Sequence, residues 1–427
     1  MVRTETQKWA VCPQLLREQN MRILIADKFD PSGLEALENR KFEVCFEPGL
    51  TAEELANRQA ELKAEVIVVR STKVTSDTVT ASQELALIIR AGAGYDTIDL
   101  DAASAKGVFV ANCPGRNSLA VAELAWGLIL ACDRRIPDQV ADLRNGVWNK
   151  KEYAKGRGLA GRTIGIIGAG QIGRAMIKRA QAFDMNVAVW ARSMDEETAH
   201  ELDVTLCKNL INLAKMSHVI SIHVAAVAET KDLVNDKFID AMRDGAILIN
   251  TSRGSTVDEK ALLRGIQEKG IRAGLDVFAN EPSGGQGQFT NPIVNEAGVN
   301  GTHHVGASTD QAQESTAMEV VRIISSYRDT GDVPNCVNRA HAGRGTALLT
   351  VRHLNQPGVL AKVFDILSQS SVNVEEMENL IYEGGKSACA RIQVGKAPSV
   401  NDIEAIENQQ AVLGISIASM DSGSDQA

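Results

Sequence analysis

The sequence predicts an α/β protein: two doubly wound parallel-sheet domains, then a small βαββαβ module. Three observations carry that prediction. From Met21 onward, short apolar runs, turns and helical patterns alternate, as parallel sheets with crossover helices require. A glycine-rich turn, Gly168-Ala169-Gly170-Gln171-Ile172-Gly173, follows an apolar run directly and opens a helical pattern. Beyond residue 345 the order changes to strand, helix, two strands, helix, strand. A chain of 427 residues has room for all three units, since domains run to roughly 100–200 residues.

Taken in order, residues 1–20 scatter Glu5, Lys8, Arg17 and Glu18 among apolar residues and read as an extension without chemistry. Apolar runs at 21–26, 65–69, 87–90 and 108–111 give the strands of a flavodoxin-like sheet. After Cys113-Pro114-Gly115 an apolar helix over 119–132 crosses to the second domain, followed by polar residues through Gly158. Alternation restarts with strands at 163–167, 186–190, 219–224, 246–250 and 273–278, and a helix over 310–328 returns to complete the first domain. The boundaries are therefore 21–117 with 308–338, then 118–307, a linker at 339–345 and a ferredoxin-like module at 346–427 with a polar tail from 421.

The charge balance is 45 Lys plus Arg against 54 Asp plus Glu, net −9, which repels nucleic acid and anionic membranes. No run approaches eighteen uncharged apolar residues, and the chain reads as cytoplasmic. The cysteines at 12, 45, 113, 132, 207, 336 and 389 form no C-x-x-C pair, so they read as reduced and structural, with no metal site.

The glycine-rich turn is a Rossmann fingerprint. Gly168 permits the tight turn, Gly170 lets backbone approach a pyrophosphate, and Gly173 packs helix on strand; Gln171 and Ile172 open the helix whose N-terminus faces the phosphates. Met176, Ile177, Ala180 and Phe183 form that helix's apolar face. The similar Ala91-Gly92-Ala93-Gly94-Tyr95 lacks a third glycine and a following helix, so it reads as a plain turn. An acid that binds the ribose 2′-hydroxyl belongs about twenty residues further on, but Ala191-Arg192-Ser193 stands there. Without that acid nothing repels a 2′-phosphate, and Arg192 and Ser193 can bind one, which leans the choice between NAD and NADP toward NADP. Asp195, four residues late, does not restore the NAD pattern.

Three more motifs put polar residues just after strands: Asn250-Thr251-Ser252-Arg253-Gly254, Asp276 through Pro282, and Gly301-Thr302-His303-His304-Val305-Gly306-Ala307-Ser308-Thr309. With the fingerprint they resemble the D-isomer-specific 2-hydroxyacid dehydrogenase family over residues 21–338. The resemblance implies a substrate-orienting arginine at Arg253, an acidic partner at Glu281, an acid/base at His304 and a cofactor contact at Asp276. The residue types suit that chemistry, because an imidazole can take and return the hydroxyl proton, a carboxylate fixes its tautomer, and a guanidinium fork matches a substrate carboxylate. The family usually has proline where this chain has His303, so two histidines compete; alignment on Gly306 and Ser308-Thr309 selects His304.

Two first-domain segments, Val69-Arg70-Ser71-Thr72-Lys73 and Asn112-Cys113-Pro114-Gly115-Arg116-Asn117-Ser118, resemble the substrate loops of phosphoglycerate dehydrogenases within that family. This implies Arg70, Ser71 and Lys73 at a substrate phosphate and Asn117 at its polar end, with Thr72 where some relatives carry a second arginine. Gly146-Val147-Trp148-Asn149-Lys150 is similar to the stretch that supplies a lysine, Lys150 here, to a neighbouring subunit, which implies a homo-oligomer, dimer or tetramer. His353-Leu354-Asn355-Gln356-Pro357-Gly358 and Val372-Asn373-Val374 resemble an ACT domain, implying that His353, Asn355 and Asn373 hold L-serine as effector between paired modules. Two other functions stay open. A hydroxypyruvate or glyoxylate reductase using NADPH suits Ala191-Arg192-Ser193 but not the C-terminal module; a dinucleotide-responsive corepressor or amino-acid sensor would not need Arg253, Glu281 and His304.

Overall fold

The computed structural model describes residues 21–282, 287–340 and 345–420; the expected extension 1–20, part of the linker and the tail from 421 lie outside the described residues. The chain forms two compact units, Met1–Asn338 and Arg339–Ala427. Two parallel sheets in the first and an antiparallel sheet in the second make up the expected α/β class.

The first sheet comprises β1 (Arg22–Ile25), β2 (Glu43–Phe46), β3 (Val66–Val69), β4 (Leu87–Arg90) and β5 (Phe109–Asn112), all parallel, in the order β2-β1-β3-β4-β5. That is the flavodoxin-like order. Every residue of β3 is buried, because helices cover both faces of the sheet. β2, an edge strand with no fully buried residue, is too mixed in sequence to be read as a strand. The helix Asp310–Thr330 returns to this sheet and packs Val320, Val321, Ile323 and Ile324 against Ile23, Ile25 and Leu37.

On that returning helix Glu319 is 4% exposed and bonds Arg322 at 2.6 Å, Arg116 at 2.6 Å and Asn335 at 2.8 Å. The Arg322 hydrogen bonds, reinforced by Asn335 and the Arg116 charge, outweigh burial and hold its carboxyl down, from 4.5 to about 2. The folded protein therefore binds this proton more weakly than the unfolded chain, so stability from Glu319 is full above about 4.5 and drains as pH falls toward 2. Glu319→Gln is expected to cost about 2 kcal/mol at neutral pH and to flatten the acid limb of a urea-midpoint-versus-pH curve; an unchanged limb would refute this assignment.

The second sheet comprises β6 (Thr163–Ile167), β7 (Asn186–Trp190), β8 (Thr205–Leu206), β9 (Val219–Ile222), β10 (Ile247–Asn250), β11 (Arg272–Leu275) and β12 (Val299–Gly301). Its order, β12-β11-β10-β9-β6-β7-β8, reverses direction at β6 and β9, the point where ligands bind in such sheets. The crossover helix Ser118–Arg134 buries Ala122, Ala125, Trp126, Leu128, Ile129 and Cys132. The stretch expected to be polar through Gly158 instead holds a further helix, Ile136–Arg144, with no buried residue and with Ile136, Val140 and Leu143 exposed; Trp148 beyond it is 80% exposed. Phe183, expected on the buried face of the helix Gln171–Ala182, caps it and stacks on Trp126 with ring centroids 4.5 Å apart.

The second unit contains β13 (Ala347–Leu354), β14 (Val374–Ile381), β15 (Ser387–Val394) and β16 (Val412–Ser419) in the antiparallel order β14-β15-β13-β16. Helices Val359–Gln369 and Val400–Glu407 complete the βαββαβ order, and Leu349, Val351, Val363, Leu367, Ile392 and Ile406 form the core between sheet and helices. β14 is an edge strand, exposed along nearly its whole length.

Candidate active site

The fingerprint turn joins β6 to the helix Gln171–Ala182, with Gly170 as N-cap. Gly168 has φ +96°, and a Cβ there would strike the carbonyl of His223; a Cβ on Gly173 would strike the carbonyl of Gly168. These two glycines are demanded by packing. A Cβ on Gly170 would meet nothing within 4 Å, so the space beside it is open, on the side where the helix N-terminus presents its amides. The site fits a nicotinamide dinucleotide. At the end of β7, Arg192 and Ser193 are exposed, while Asp195 caps the helix Glu196–Glu201 through the Thr198 amide at 2.8 Å. Those hydrogen bonds hold the Asp195 carboxyl below its usual value and commit it to the helix.

Strands β10, β11 and β12 each end in a loop that faces this crevice. After β10, the buried Asn250 bonds the Ser252 amide at 3.0 Å and the Arg253 carbonyl at 2.9 Å, which shapes the turn that carries Arg253. Gly254 lets that turn pack on the backbone at Phe278, where a Cβ would overlap. The Arg253 guanidinium donates to the Ser252 carbonyl at 2.8 Å and lies 3.3 Å from Asp96. Gly94 leaves room for it, so the glycine pair read as a plain turn is no nucleotide motif and yet forms a wall of the cleft.

After β12, His304 Nδ1 meets Glu281 Oε2 at 2.6 Å, and Glu281 Oε1 accepts the Phe278 amide at 2.9 Å. Burial raises the Glu281 carboxyl, but the His304 and Phe278 hydrogen bonds and the nearby His304 and Arg253 charges outweigh it and leave it below its ordinary value. His304 takes φ +52°; among the described residues, exposed His303 makes no hydrogen bond. Asp276 is 1% exposed, and its carboxylate accepts from the Thr302 hydroxyl at 2.6 Å and from the Val305 and Gly306 amides at 2.9 Å each. The Asp276 carboxylate, expected as a cofactor contact, holds the loop of His304.

In the first domain, Arg70 is half-buried, with its guanidinium 3.3 Å from Gln313, while Ser71 and Lys73 are exposed. The amides of Arg70, Ser71 and Thr72 form a nest, and Asp27 fills it at 2.6, 2.9 and 3.0 Å. Arg90, at the end of β4, belongs to none of the sequence motifs. Burial, with Arg253 and Arg70 adding their charges, brings its guanidinium down to about 10, and its buried Nε has no partner among the described residues. Its signal in the sequence is a lone charge ending the buried run Leu87-Ile88-Ile89. Asn117 stands at the N-cap of the crossover helix without a side-chain capping bond, its buried Oδ1 having no partner among the described residues, beside Gly115, which abuts the Gln171 side chain. Lys150 is exposed at the start of the short helix Lys150–Tyr153.

In the second unit His353 is 2% exposed, with its ring nitrogens 2.8 Å from the Leu354 carbonyl and 3.1 Å from Asn379. Asn355 donates to the Gly385 carbonyl at 2.9 Å, and Asn373 to Glu375 at 2.9 Å. The strand register puts His353 and Asn355 at one end of the sheet and Asn373 at the other, roughly 20 Å away by strand rise, so one module does not bring the three together.

A glycine turn with open space at Gly170 at the switch point of the sheet, with an imidazole–carboxylate pair and an arginine after neighbouring strands, defines a dinucleotide-binding protein of the doubly wound class. Residues 126–325 match the family described as D-isomer specific 2-hydroxyacid dehydrogenase, NAD binding domain. The chain is 39% identical over 305 residues to a hydroxypyruvate reductase of Thermotoga maritima, covering 71% of this chain and 97% of that one. It is also 39% identical over 320 residues to a D-3-phosphoglycerate dehydrogenase of Methanocaldococcus jannaschii, covering 74% of this chain but only 59% of that relative. Among solved structures, the NADPH-dependent glyoxylate/hydroxypyruvate reductase of Sinorhizobium meliloti superposes with a TM-score of 0.65 at 30% identity, over 74% of this chain and 97% of that one. The chain belongs to the D-isomer specific 2-hydroxyacid dehydrogenase family. No helix among the described residues is long and apolar enough to cross a membrane.

Proposed function

We propose that the chain is a D-3-phosphoglycerate dehydrogenase, which oxidises 3-phosphoglycerate to 3-phosphooxypyruvate at the start of L-serine biosynthesis. The observation that carries the reading is the 2.6 Å His304–Glu281 pair beside Arg253, at the mouth of the dinucleotide crevice. With Nδ1 on Glu281, His304 keeps Nε2 for the hydroxyl proton, and the anionic Glu281 stabilises the imidazolium that results. Arg253 offers its fork to the substrate carboxylate, and Arg70, Arg90 and Lys73 supply positive charge for a phosphate. Residues Gly168 to Gly173 would hold the pyrophosphate of a dinucleotide, which when bound would supply a hydride acceptor for the substrate's C2.

Arg192 and Ser193, with Asp195 committed to its helix, favour NADP. Ala191→Asp is expected to raise the NAD-to-NADP ratio of kcat/KM by about tenfold or more; an unmoved ratio would remove the argument. Exposed apolar residues along Ile136–Arg144 and at Trp148 support a homo-oligomer, in which Lys150 reaches a neighbouring site. Antiparallel pairing of two β14 edges would set Asn373 of one module beside His353 and Asn355 of another, which supports serine binding between paired ACT modules.

A second reading, hydroxypyruvate or glyoxylate reductase, is favoured by Asp27, whose carboxylate occupies the amide nest at Arg70–Thr72 that a phosphate could have used. The deciding experiment offers 3-phosphoglycerate, phosphooxypyruvate, hydroxypyruvate and glyoxylate with each cofactor, with and without L-serine. For a phosphoglycerate dehydrogenase the phosphorylated pair has the highest kcat/KM and serine inhibits. Preference for hydroxypyruvate selects the reductase, and no turnover selects a sensor.

A further inference from the structure

At the opposite end of the second sheet from the dinucleotide crevice lies a cavity of about 350 Å³. Arg162 directly precedes β6, Ile247 opens β10 and Arg272 opens β11, so the cavity sits at the strands' N-terminal ends, about 13 Å along β10 from the turn of Arg253. Its walls carry five cations, Lys155, Arg157, Arg162, Lys269 and Arg272, against two acids, Asp133 and Asp244, in a chain whose net charge is −9. An acidic protein that gathers cations around a concave site concentrates anions there.

Lys155 is paired with Glu152 at 2.6 Å, but the three arginines keep donors that the fold does not use. Arg162 spends Nη1 on Asp133 and the Gly158 carbonyl, each at 3.0 Å, while its buried Nε has no partner among the described residues. Arg272 spends Nη1 on the Cys132 carbonyl at 2.8 Å. Arg157, among the described residues, makes no hydrogen bond or ion pair, and its Nη2 lies 3.2 Å from where a Cβ on Gly245 would stand. Lys269 is different: its ammonium closes the carbonyls of Asp240 and Met242 at 2.7 and 2.6 Å, so it contributes field rather than a free donor. Burial, with the charges of Arg157 and Arg272 adding to it, outweighs the Asp133 ion pair and lowers the Arg162 guanidinium.

We propose that this cavity binds a small oxyanion carrying two negative charges, a phosphate group or a short dicarboxylate, on Arg157, Arg162 and Arg272. Planar forks suit both ligands, since each presents paired oxygens to paired N–H donors. The size fits a small metabolite rather than a macromolecule. Asp133 lies in the last turn of the crossover helix and Arg157 on the segment that leads from Lys150 into β6, so an anion here would tie these segments to the sheet.

The test is thermal unfolding and calorimetric titration of the full chain, saturated with reduced dinucleotide, against inorganic phosphate, succinate and chloride of matched ionic strength. Three proteins are compared: wild type, Arg157→Ala and Arg70→Ala. Arg157→Ala breaks no hydrogen bond or ion pair among the described residues, so it remains testable even if an Arg162 variant fails to fold. Saturable binding of phosphate, succinate or both, weakened about tenfold in Arg157→Ala and kept in Arg70→Ala, is the expected result, and the two titrations tell which oxyanion the site prefers. A response matched by chloride, kept in Arg157→Ala, or lost only in Arg70→Ala overturns the proposal, the last because the anion then sits in the substrate cleft. The outcome is independent of which 2-hydroxy acid the enzyme oxidises.

Discussion

His304→Asn is expected to lower kcat by about three orders of magnitude with little change in cofactor affinity. A positioned acid/base contributes roughly 10²- to 10⁴-fold, and asparagine keeps polarity without offering a titrating nitrogen. The measurement is steady-state turnover with the best substrate of the panel above, alongside cofactor binding by fluorescence. His303→Asn is the internal control. His303 is exposed and has no hydrogen-bond partner among the described residues, so its loss should leave kcat within about twofold, the scale of a neutral surface change. If the two variants lost activity equally, or His303→Asn lost more, the pair with Glu281 would not be the proton-transfer group. Glu281→Gln should sit between them, because the amide can still orient Nδ1 but no longer stabilises the imidazolium.

The second large effect is expected at Arg253. Arg253→Lys keeps the charge and loses the fork, so the substrate KM should rise by about 100-fold while kcat falls less, the signature of lost carboxylate binding. Asp96, 3.3 Å from the guanidinium, sharpens the test. Asp96→Asn frees Arg253 from its ion pair without touching the fork, and should change KM by far less than Arg253→Lys. A KM for Arg253→Lys within about threefold of wild type would mean the carboxylate is held elsewhere, with Arg90 the next candidate.

Much of this site is legible in the sequence, and the reason differs from residue to residue. Gly173 can be read because its constraint is local, the Gly168 carbonyl leaving no room for a Cβ; Gly168 is legible through the motif, since the carbonyl that excludes its Cβ is that of His223, after β9. His304 and Glu281 can be named by type and position, but their 2.6 Å contact joins loops after different strands, and only the sheet order makes them neighbours. Arg90 and Asp96 escape because the loop between them invites comparison with a nucleotide motif and fails it. Asp27 escapes for a similar reason: an acid after the first strand says nothing of which amides it will accept. The helix Ile136–Arg144 shows the reverse fault. Ile136, Val140 and Leu143 fall at helical spacing, yet their neighbours' polarity hides a helix whose apolar residues face out. His353 shows that sequence assigns a side chain's chemistry before its accessibility, since the ring proposed for an effector is nearly enclosed within its own module.

The returning helix Asp310–Thr330 makes synthesis and folding run in different orders. The strands β1 to β5 leave the ribosome first, yet Ile23, Ile25 and Leu37 wait for Val320 and Ile324, which emerge only after the whole second sheet. The second sheet, contiguous in sequence, can close on its own as it is made. The nascent amino-terminal sheet therefore spends the longest time with one apolar face bare, and chains stalled or cut before residue 310 should be the species that chaperones hold and proteases clear.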